Sequence, residues 1–455
     1  RTGGWEGMEA LVRWQDAQRG WVPPARFVPL AEAQADPFYA PANDLSLPGP
    51  SPRLEGAAGG PEALLACLDD APPAGNTHQM ARVHLLRGLA ASERWRFEEA
   101  AEHHARAVEL DPGDGWPRIC LAQARLLTLD TDGARGELRA VARLEASAKA
   151  LQGRSANVSQ THLGQLLDEF VLDADALAEL RSLRGLAPAD QVEPLLGLVR
   201  RFPDYTPAAI ALLVALRRSG RFDRGGAPGA GAGRARIPDT VVQYWDDNGL
   251  PPEVGGVMAS WGGLYPRFAL RRFSDAEARA FLARRHGPEV RAAYARSRQP
   301  AQKADIFRLA WLHSEGGYYV DADDRLAGDF GALRFPAAGL LLYQEDFGTL
   351  GNNVMGAAPG HPLVSRALRL AVEAVNRGDN DILWLSTGPG LLTRAFARLL
   401  AGEGGVPPLA ALEDAAVLEH GALQRVVSIH CLLGYKNTDK HWSRTAFGRA
   451  AAAAP

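Results

Sequence analysis

The sequence predicts an all-α helical-repeat domain followed by an α/β domain with a largely parallel sheet. Residues 61–224 are rich in Ala and Leu at helical spacing, which is typical of stacked helices. After Arg236, helical stretches alternate with short apolar strands, and this alternation predicts an α/β domain over 236–455. Residues 225–235 between them are mostly Gly and Ala, so we expect a flexible linker there.

Composition narrows the range of partners. The chain has 455 residues, a formal net charge of -3, 46% hydrophobic residues and 23% charged residues, values typical of a globular protein. We expect no nucleic-acid partner, since no global basic field is present. We expect no membrane span either, because no apolar run approaches the roughly 20 residues that cross a bilayer. Cys67, Cys120 and Cys431 fit no zinc or disulfide spacing, which favours a reducing, cytoplasmic location.

The helical region shows internal repetition. The positions of Gly88, Ala100, Ala107 and Pro112 resemble those of a tetratricopeptide repeat (TPR), with small residues where its helices cross. One period later, about 34 residues on, stand Ala122, Ala134 and Val141. We predict a TPR-like scaffold that docks a protein partner, with a generic helical bundle as the alternative.

The residues that carry chemistry follow an apolar strand. Asp321 and Asp323 come directly after residues 318–320, which are Tyr, Tyr and Val. In an extended strand, side chains two apart point to the same side, so both carboxylates can share one cation. Hard oxygen ligands suit Mg²⁺ or Mn²⁺ and not zinc. A cation there would neutralise a diphosphate leaving group.

Context distinguishes this pair from three other D-x-D pairs, which we expect on solvated helix faces or turns: Asp130/Asp132, Asp173/Asp175 and Asp379/Asp381. A helix predicted over 301–315 ends at two glycines, and the strand bearing Asp321 follows. On that helix Asp305 and Arg308 stand three apart and share a face. The alternative for these two residues is a surface ion pair of little energetic consequence.

Residues 302–309 (QKADIFRL) and 315–323 (EGGYYVDAD) closely resemble the signature of DXD-containing sugar transferases. That family includes outer-chain-initiating mannosyltransferases and the catalytic domains of large glucosylating toxins. Later landmarks resemble those of the family in the same order, at 237–245, 352–357, 361–362, 387–389 and 441–442. The resemblance spans about residues 236–444 and implies a GT-A-like nucleotide-sugar transferase domain.

The resemblance also implies roles for four residues near the acids. Asp323 would bind the metal, Mn²⁺ or Mg²⁺, and Asp321 would contact the donor's ribose or sugar and support the metal. Asp305 and Arg308 would hold the donor sugar and its diphosphate. His441 would complete the metal shell, or else have a structural role.

Further residues would bind the donor. Trp245 would stack on the nucleobase beside Gln243, with a core tryptophan as the alternative. Thr387 and Gly388 stand at a predicted helix N-terminus, which attracts anions, although an ordinary helix cap is equally compatible. The adjacent asparagines at 352 and 353, Asn353 in particular, would reach donor or acceptor, or form a polar turn.

The function implied is metal-dependent transfer of a hexose from a UDP- or GDP-sugar to a glycan, lipid or protein acceptor, with retention of configuration. One alternative is a TPR-type interaction protein whose transferase domain is inactive. Another is a phosphotransferase with an Asp nucleophile, although the Thr or Ser expected shortly after Asp323 is absent.

The N-terminus resembles a different family. Residues 7–14 and 19–32 look like part of an EAL cyclic-di-GMP phosphodiesterase, with Glu9 at a metal-binding position. The match spans about 30 residues, whereas a barrel domain needs roughly 250. We therefore predict that 1–40 is a remnant without phosphodiesterase activity, followed by a linker over 41–60.

Overall fold

The computed structural model describes residues 15–16, 20–21, 77–151, 157–223, 236–246, 249–264, 266–379, 382–431 and 433–437. Both predicted linkers, His441 and almost all of the EAL-like stretch lie outside these ranges. The chain divides into two compact units, Arg1–Leu172 and Asp173–Pro455.

In the described part of the first unit, a two-residue antiparallel ladder joins Gln15–Asp16 and Gly20–Trp21, and the residues from Thr77 onward are mainly helical. Its α-helices are α1 Thr77–Glu93, α2 Phe97–Leu110, α3 Gly115–Leu127, α4 Thr131–Leu151 and α5 His162–Val171. Each of the first four packs against the next along the chain, and α5 packs against α4.

Small residues line the contacts between these helices. Ala100, Ala107, Ala122 and Ala134 are each 0% exposed. The His104 imidazole lies over the backbone of Gly88, where an added Cβ would come within 2.5 Å of the ring. The helices therefore stack closely at the positions where the repeat pattern places small residues. That these pairs are tetratricopeptide repeats stays a prediction.

The second unit begins with three helices, before the glycine-rich segment that was expected to separate the domains. They are α6 Ala174–Ser182, α7 Pro188–Arg201 and α8 Thr206–Arg218. Both α7 and α8 pack against a helix of the sheet-containing region, α15 Pro389–Leu400. Residues 173–223 therefore belong to the same compact unit as the sheet.

The strands of this unit are β1 Thr240–Tyr244, β2 Ala269–Phe273, β3 Gly317–Val320, β4 Arg325–Leu326, β5 Leu340–Gln344, β6 Val354–Ala357, β7 Ala415–Glu419 and β8 Val427–Ser428. The helices among them are α9 Pro252–Ala259, α10 Asp275–Arg285, α11 Pro288–Arg296, α12 Pro300–Ser314, α13 Pro362–Arg377, α14 Leu383–Ser386, α15 and α16 His420–Gln424. Short 3-10 turns span Ser260–Leu264, Phe330–Leu333, Ala410–Asp414 and Gly434–Asn437.

Six strands form one mixed sheet in the order β2-β1-β3-β6-β5-β7. Strand β1 runs parallel to β2 and β3, and β5 runs parallel to β7. Strand β6 is antiparallel to both of its neighbours, so the sheet is mixed, but the other five strands run in one direction, which agrees with the prediction of a largely parallel sheet. The loop at 345–353 between β5 and β6 is shorter than the dozen or so residues that a parallel crossover needs. Strands β4 and β8 form a separate antiparallel pair.

The core packs on both faces of this sheet. On one face Val241, Tyr318 and Leu341 pack with Trp261 and Phe330. On the other face, aromatic rings from β1, β2 and α12 meet: Tyr244, Phe273, Phe307 and Trp311. This packing fixes the carboxyl ends of β1 and β3 side by side, and the predicted site residues follow those ends.

Candidate active site

The D-x-D acids lie on a turn that strand β3 delivers. Helix α12 ends at Ser314, and Gly316 and Gly317, with φ of 68° and 96°, turn the chain where β3 begins. After Val320 the backbone N–H of Asp324 donates to the Asp321 carbonyl at 3.2 Å. The acids thus occupy a tight turn and not an extended strand, so the alternation used to predict that their side chains point the same way does not apply.

The buried Arg308 side chain contacts two of the predicted acids, Asp305 on α12 and Asp321 after β3. The Arg308 Nη2 lies 3.2 Å from Oδ1 of both Asp305 and Asp321. Its Nη1 donates to the carbonyl of Asn352, and its guanidinium lies 4.5 Å from the centre of the Tyr319 ring. Arg308 is 4% exposed, so its contacts with Asp305 and Asp321 are not surface ion pairs. Neighbouring negative groups, Asp321 foremost, outweigh its burial and raise its pKa.

Asp305 is held by three different donors. Besides Arg308, the Thr387 hydroxyl donates to Oδ2 at 2.7 Å and the Asn352 amide donates to Oδ1 at 2.9 Å. Burial raises the pKa of Asp305 to about 6, although the Arg308 charge and these hydrogen bonds oppose the rise. The structure thus connects four sequence-predicted residues, Asp305, Arg308, Asp321 and Thr387, in one network.

The two acids of the D-x-D pair differ electrostatically. Asp321 accepts from the Tyr319 hydroxyl at 2.9 Å, and burial raises its pKa against the opposing charge of Arg308. Asp323 receives the Lys436 ammonium at 2.7 Å and the Tyr435 hydroxyl at 2.8 Å, both on Oδ2. Burial alone would raise the pKa of Asp323, but the Lys436 charge dominates and lowers it to about 2. Asp323 is therefore ionised throughout the physiological range.

A third acid, Asp324, was not among the predicted site residues. It is 0% exposed, and its carboxylate accepts from the His430 backbone N–H at 2.8 Å and the Asn353 amide at 2.7 Å. Its own carbonyl accepts from Trp261 Nε1 at 2.7 Å. Burial, together with Asp323 and Asp321, holds its pKa well above the usual range. Asp324 thereby ties the D-x-D turn to the C-terminal segment.

His430 is a second residue that sequence reasoning missed. Its backbone lies in the left-handed region, with φ of 54°, which is uncommon for a residue with a side chain. Its charge helps to lower the pKa of Asp323, so it lies near that acid. Among the described residues no group of three or more His, Cys, Asp or Glu side chains is arranged to hold a metal ion. The predicted ligand His441 lies outside the described residues.

Gln243 and Trp245 stand two apart at the end of β1 and so face the same side of the sheet. Gln243 is 0% exposed, and within the described part of the chain neither polar atom of its side chain has a hydrogen-bond partner. The same holds for Trp245 Nε1. The Trp245 indole packs with Val254 and Met258, and it meets the Tyr435 ring edge-to-face at 5.3 Å between centroids.

The other predicted donor residues already have protein partners. Gly388 is the N-cap of α15, but the backbone N–H groups of Thr387 and Gly388 both donate to the Leu383 carbonyl, at 3.0 and 2.9 Å. Asn353 is 4% exposed, and its Oδ1 accepts from the Tyr343 hydroxyl. The side chains of Thr387 and Asn353 thus support acids of the site from behind.

The remaining D-x-D pairs have structural contacts. Asp130 accepts from the Gly133 backbone N–H, and Asp173 caps α6 by accepting from Ala176. Asp379 pairs with Arg377 on the surface. The described acids of the three pairs thus lie at helix ends, whereas the expectation was solvated helix faces or turns.

Known proteins match the same part of the chain. Residues 251–336 match the model of the glycosyltransferase sugar-binding region containing DXD motif. Toxin Afp18 of Yersinia ruckeri is 35% identical over 113 residues, which cover 24% of this chain and 5% of the toxin. Inositol phosphoceramide mannosyltransferase 3 of Schizosaccharomyces pombe is 29% identical over 138 residues, which cover 30% of this chain and 37% of that protein.

Two further matches are longer. Inositol phosphoceramide mannosyltransferase 2 of S. pombe is 25% identical over 228 residues, covering 49% of this chain and 60% of its own length. The solved PaToxG Glycosyltransferase is similar with 19% identity and a TM-score of 0.32, covering 56% of this chain and 97% of that one. The chain spans less than two thirds of the length of each of the curated relatives named above.

The chain therefore contains a DXD-type glycosyltransferase region homologous to mannosyltransferases and toxins. The matched region includes Asp305, Arg308, Asp321 and Asp323, whereas Trp245, Thr387 and the C-terminal contacts lie outside it. Among the described residues no helix is both long enough and apolar enough to cross a bilayer. The EAL-like and tetratricopeptide-like resemblances lie outside the matched region and stay predictions.

Proposed function

We propose that the second unit transfers a hexose from a nucleotide-diphosphate sugar, UDP- or GDP-linked, to an acceptor with the help of a divalent cation. The observation that carries this proposal is the network of Arg308 with Asp305 and Asp321 beside Asp323, inside the region that matches the DXD family. Burying the Arg308 guanidinium against the buried Asp305 carboxylate and the partly exposed Asp321 carboxylate costs desolvation free energy, so a purely stabilising role does not explain this network well.

In this proposal Trp245 stacks on the nucleobase and Gln243 pairs with its polar edge. The unpartnered polar atoms of both side chains support this assignment, because a buried polar group without a partner costs free energy that a ligand can recover. Asp321 contacts the donor's ribose or sugar. Asp305 and Arg308 hold the sugar and diphosphate, and Arg308 also fixes the carboxylates in place.

The acids fit a hard divalent cation, Mg²⁺ or Mn²⁺, since carboxylate oxygens are the ligands that these ions prefer. Asp323 already binds a cationic group, the Lys436 ammonium, which supports its role as a metal ligand. Asp321 supports the ion, and His430 is a candidate ligand beside His441. When bound, the cation neutralises the charge that develops on the diphosphate leaving group.

The acceptor is a glycan, a lipid or a protein. Because two relatives are named as inositol phosphoceramide mannosyltransferases, a lipid with an inositol phosphate headgroup and GDP-mannose belong among the compounds tested first. Retention of anomeric configuration is part of the proposal by resemblance to the family. The proposal extends to the first unit, whose helices would bind a protein acceptor or partner.

The test measures release of nucleoside diphosphate from UDP- and GDP-sugars with Mn²⁺, with Mg²⁺ and with EDTA. We expect release that requires the cation and that falls about a hundredfold or more in Asp323→Asn, since the ligand for the charge-stabilising ion is lost. Asp132→Asn serves as the control, because Asp132 belongs to a D-x-D pair in the first unit and its side chain is 92% exposed. It should release diphosphate at the wild-type rate.

Two results would count against the proposal. If wild-type protein in EDTA, or Asp323→Asn with Mn²⁺, released diphosphate as fast as wild type with Mn²⁺, the reaction would not require the metal. If wild-type protein neither binds nor hydrolyses any nucleotide sugar, the alternative of an interaction protein with an inactive transferase region gains support.

A further inference from the structure

A short C-terminal turn, Gly434–Asn437, lies on the acids of the site. The Lys436 ammonium and the Tyr435 hydroxyl both contact Asp323 Oδ2, at 2.7 and 2.8 Å. The side chains of Lys436 and Asp323 are only 17% and 16% exposed, so little water screens their attraction. Lys436 thus forms a partly buried ion pair with Asp323, the second acid of the D-x-D motif.

The turn is also fixed from its other side. The Glu253 carboxylate accepts from the backbone N–H of Gly434 at 2.9 Å and from that of Tyr435 at 2.7 Å. Glu253 belongs to the first turn of α9, so the C-terminal turn spans the space between α9 and the D-x-D turn. Two carboxylates therefore anchor the turn, one at its backbone and one at its lysine.

Tyr435 extends this contact to the proposed base site. Its ring lies edge-to-face on Trp245, and Leu433 and Tyr435 pack against the same apolar cluster as Trp245. On that side of β1 lie the unpartnered polar atoms of Gln243 and Trp245. Tyr435 thus packs against the proposed nucleobase-binding side chain Trp245. Among the described residues, the polar side-chain atoms of Gln243 and Trp245 still have no hydrogen-bond partner.

We propose that Lys436 is an internal competitor for the divalent cation and that the turn Gly434–Asn437 occupies the donor site until cation and donor displace it. This inference rests on the proposed function. A monovalent ammonium and a divalent ion cannot both bind Asp323 Oδ2, because their charges repel at contact distance. Binding of the ion therefore requires the lysine to leave, and release of the lysine frees Tyr435 from the same carboxylate.

The direct test is titration of Mn²⁺ alone, by calorimetry, into the full chain and its variants. If the closed arrangement holds nine molecules in ten, the apparent affinity is reduced about tenfold, so Lys436→Met should bind Mn²⁺ about tenfold more tightly than wild type. Lys436→Arg keeps the charge and should retain the weak wild-type affinity. The matched control is Lys303→Met, since Lys303 is also 17% exposed and pairs with a carboxylate outside the motif, Asp275.

A second readout follows the turn itself. Trypsin cleaves after Lys436, and mass spectrometry of the resulting peptide reports how accessible this bond is. We expect saturating Mn²⁺ to speed cleavage after Lys436 in wild-type protein, with no such effect in Asp323→Asn. Equal Mn²⁺ affinity of wild type and Lys436→Met, absence of Mn²⁺ binding in both, or a cleavage rate unaffected by Mn²⁺ would each overturn the inference.

Its failure is separable from failure of the proposed function. Metal-dependent diphosphate release by wild type, with Mn²⁺ affinity unchanged in Lys436→Met, would reject the competitor and leave the transferase proposal intact. Tighter Mn²⁺ binding by Lys436→Met without any diphosphate release would support the competitor and count against the transferase.

Discussion

Three acids of one turn bind different partners, and their affinities for a proton differ accordingly. Asp323 faces the Lys436 ammonium, Asp321 faces the Arg308 guanidinium, and Asp324 faces only uncharged donors. The pKa is lowered at Asp323 and raised at the other two, most strongly at Asp324. The chemistry of the site is therefore set by which cationic side chain reaches each carboxylate, more than by the D-x-D spacing.

Asp324→Asn tests how far the site depends on its buried third acid. Both oxygens of the Asp324 carboxylate are acceptors, one for the His430 backbone N–H and the other for the Asn353 amide. An asparagine presents one acceptor and one donor, so its amide nitrogen would face another donor. We expect a loss of about 1–3 kcal/mol in the free energy of unfolding, the usual cost of a buried unpaired polar group, measured by denaturant titration.

The control for this substitution is Asp329→Asn. Asp329 also accepts from a backbone N–H, that of Gly331 at 2.8 Å, but its side chain is 77% exposed and asparagine caps equally well. Its stability should stay near that of wild type. Equal stability of both variants would show that the Asp324 contacts are not needed to hold the turn.

Sequence reasoning found the local half of the site and missed the distant half. Asp305, Arg308 and Asp321 belong to one helix-turn-strand unit, so spacing and pattern place them together. The partners of Asp323 and Asp324 are His430, Tyr435 and Lys436, and their position depends on how the chain returns after β7 and β8, which no local pattern encodes. The missed residues are Asp324, His430, Tyr435 and Lys436. For Asp324 the only signal was a third acid directly after the pair.

At the scale of elements, the helices at the start of the second unit support the loop that leads into the site. Arg217 at the end of α8 is 7% exposed and donates to the Gln344 side chain and to two carbonyls of β7. The loop 345–353 follows Gln344, and the Leu350 N–H donates to the Thr393 hydroxyl of α15 at 2.9 Å. Because this loop ends at Asn352 and Asn353, α8 and α15 fix the position of both asparagines.

Gly348→Ala tests this support. Gly348 has a φ of 83°, and an added Cβ would lie 2.7 Å from a methyl carbon of Val214 and 3.1 Å from one of Ile210, both on α8. Gly360→Ala is the matched control, because Gly360 has a φ of 70° and nothing within 4 Å of the added atom. Backbone strain of about 1 kcal/mol is common to both, and the clash with α8 should cost Gly348→Ala about 1–3 kcal/mol more.

The measurement is thermal unfolding of both variants, together with donor binding. Gly348→Ala should also weaken donor binding, since the loop that carries the asparagines must shift, whereas Gly360→Ala should bind like wild type. Equal stability and equal donor binding in the two variants would show that α8 does not constrain the loop.

The elements near the acids were predicted within a residue or two, and those farther away less well. Helix α12 and strand β3 matched because the apolar run, the double glycine and the following acids are all local signals. Strand β6 was not among the predicted strands, and its antiparallel direction depends on which strands it pairs with, which no local sequence pattern determines. The sequence pattern predicted residues 173–223 as part of the helical domain, because their packing against α15 does not change the spacing of their apolar residues.

For the whole molecule, the candidate chemistry lies entirely in one unit. All described site residues, from Gln243 to Lys436, belong to Asp173–Pro455. The first unit contributes buried histidines instead. His104 is 1% exposed and His162 is 4% exposed. Burial lowers the pKa of His104 to about 3 and that of His162 to about 4, so both imidazoles are neutral in the folded protein at neutral pH.

These histidines predict that acid destabilises the first unit. Between the unfolded pKa of 6.5 and the folded pKa of about 3, the unfolded chain binds a proton at His104 that the folded chain does not. Stability from this group is complete above pH 6.5 and is lost as the pH falls through that window. At pH 5 the expected loss from His104 is about 2 kcal/mol relative to pH 7.5.

His104→Gln tests this assignment because glutamine carries no charge at either pH. Hydrogen exchange of peptides from α1–α3, corrected for intrinsic rates, gives the opening free energy at pH 7.5 and pH 5. The decrease in opening free energy from pH 7.5 to pH 5 should be about 2 kcal/mol smaller in His104→Gln than in wild type. The control is His78→Gln, a histidine substitution in the same unit at a side chain that is 64% exposed and contacts Asp111. An identical loss in all three proteins would mean that the acid sensitivity of these helices arises elsewhere than at the imidazole buried against Gly88.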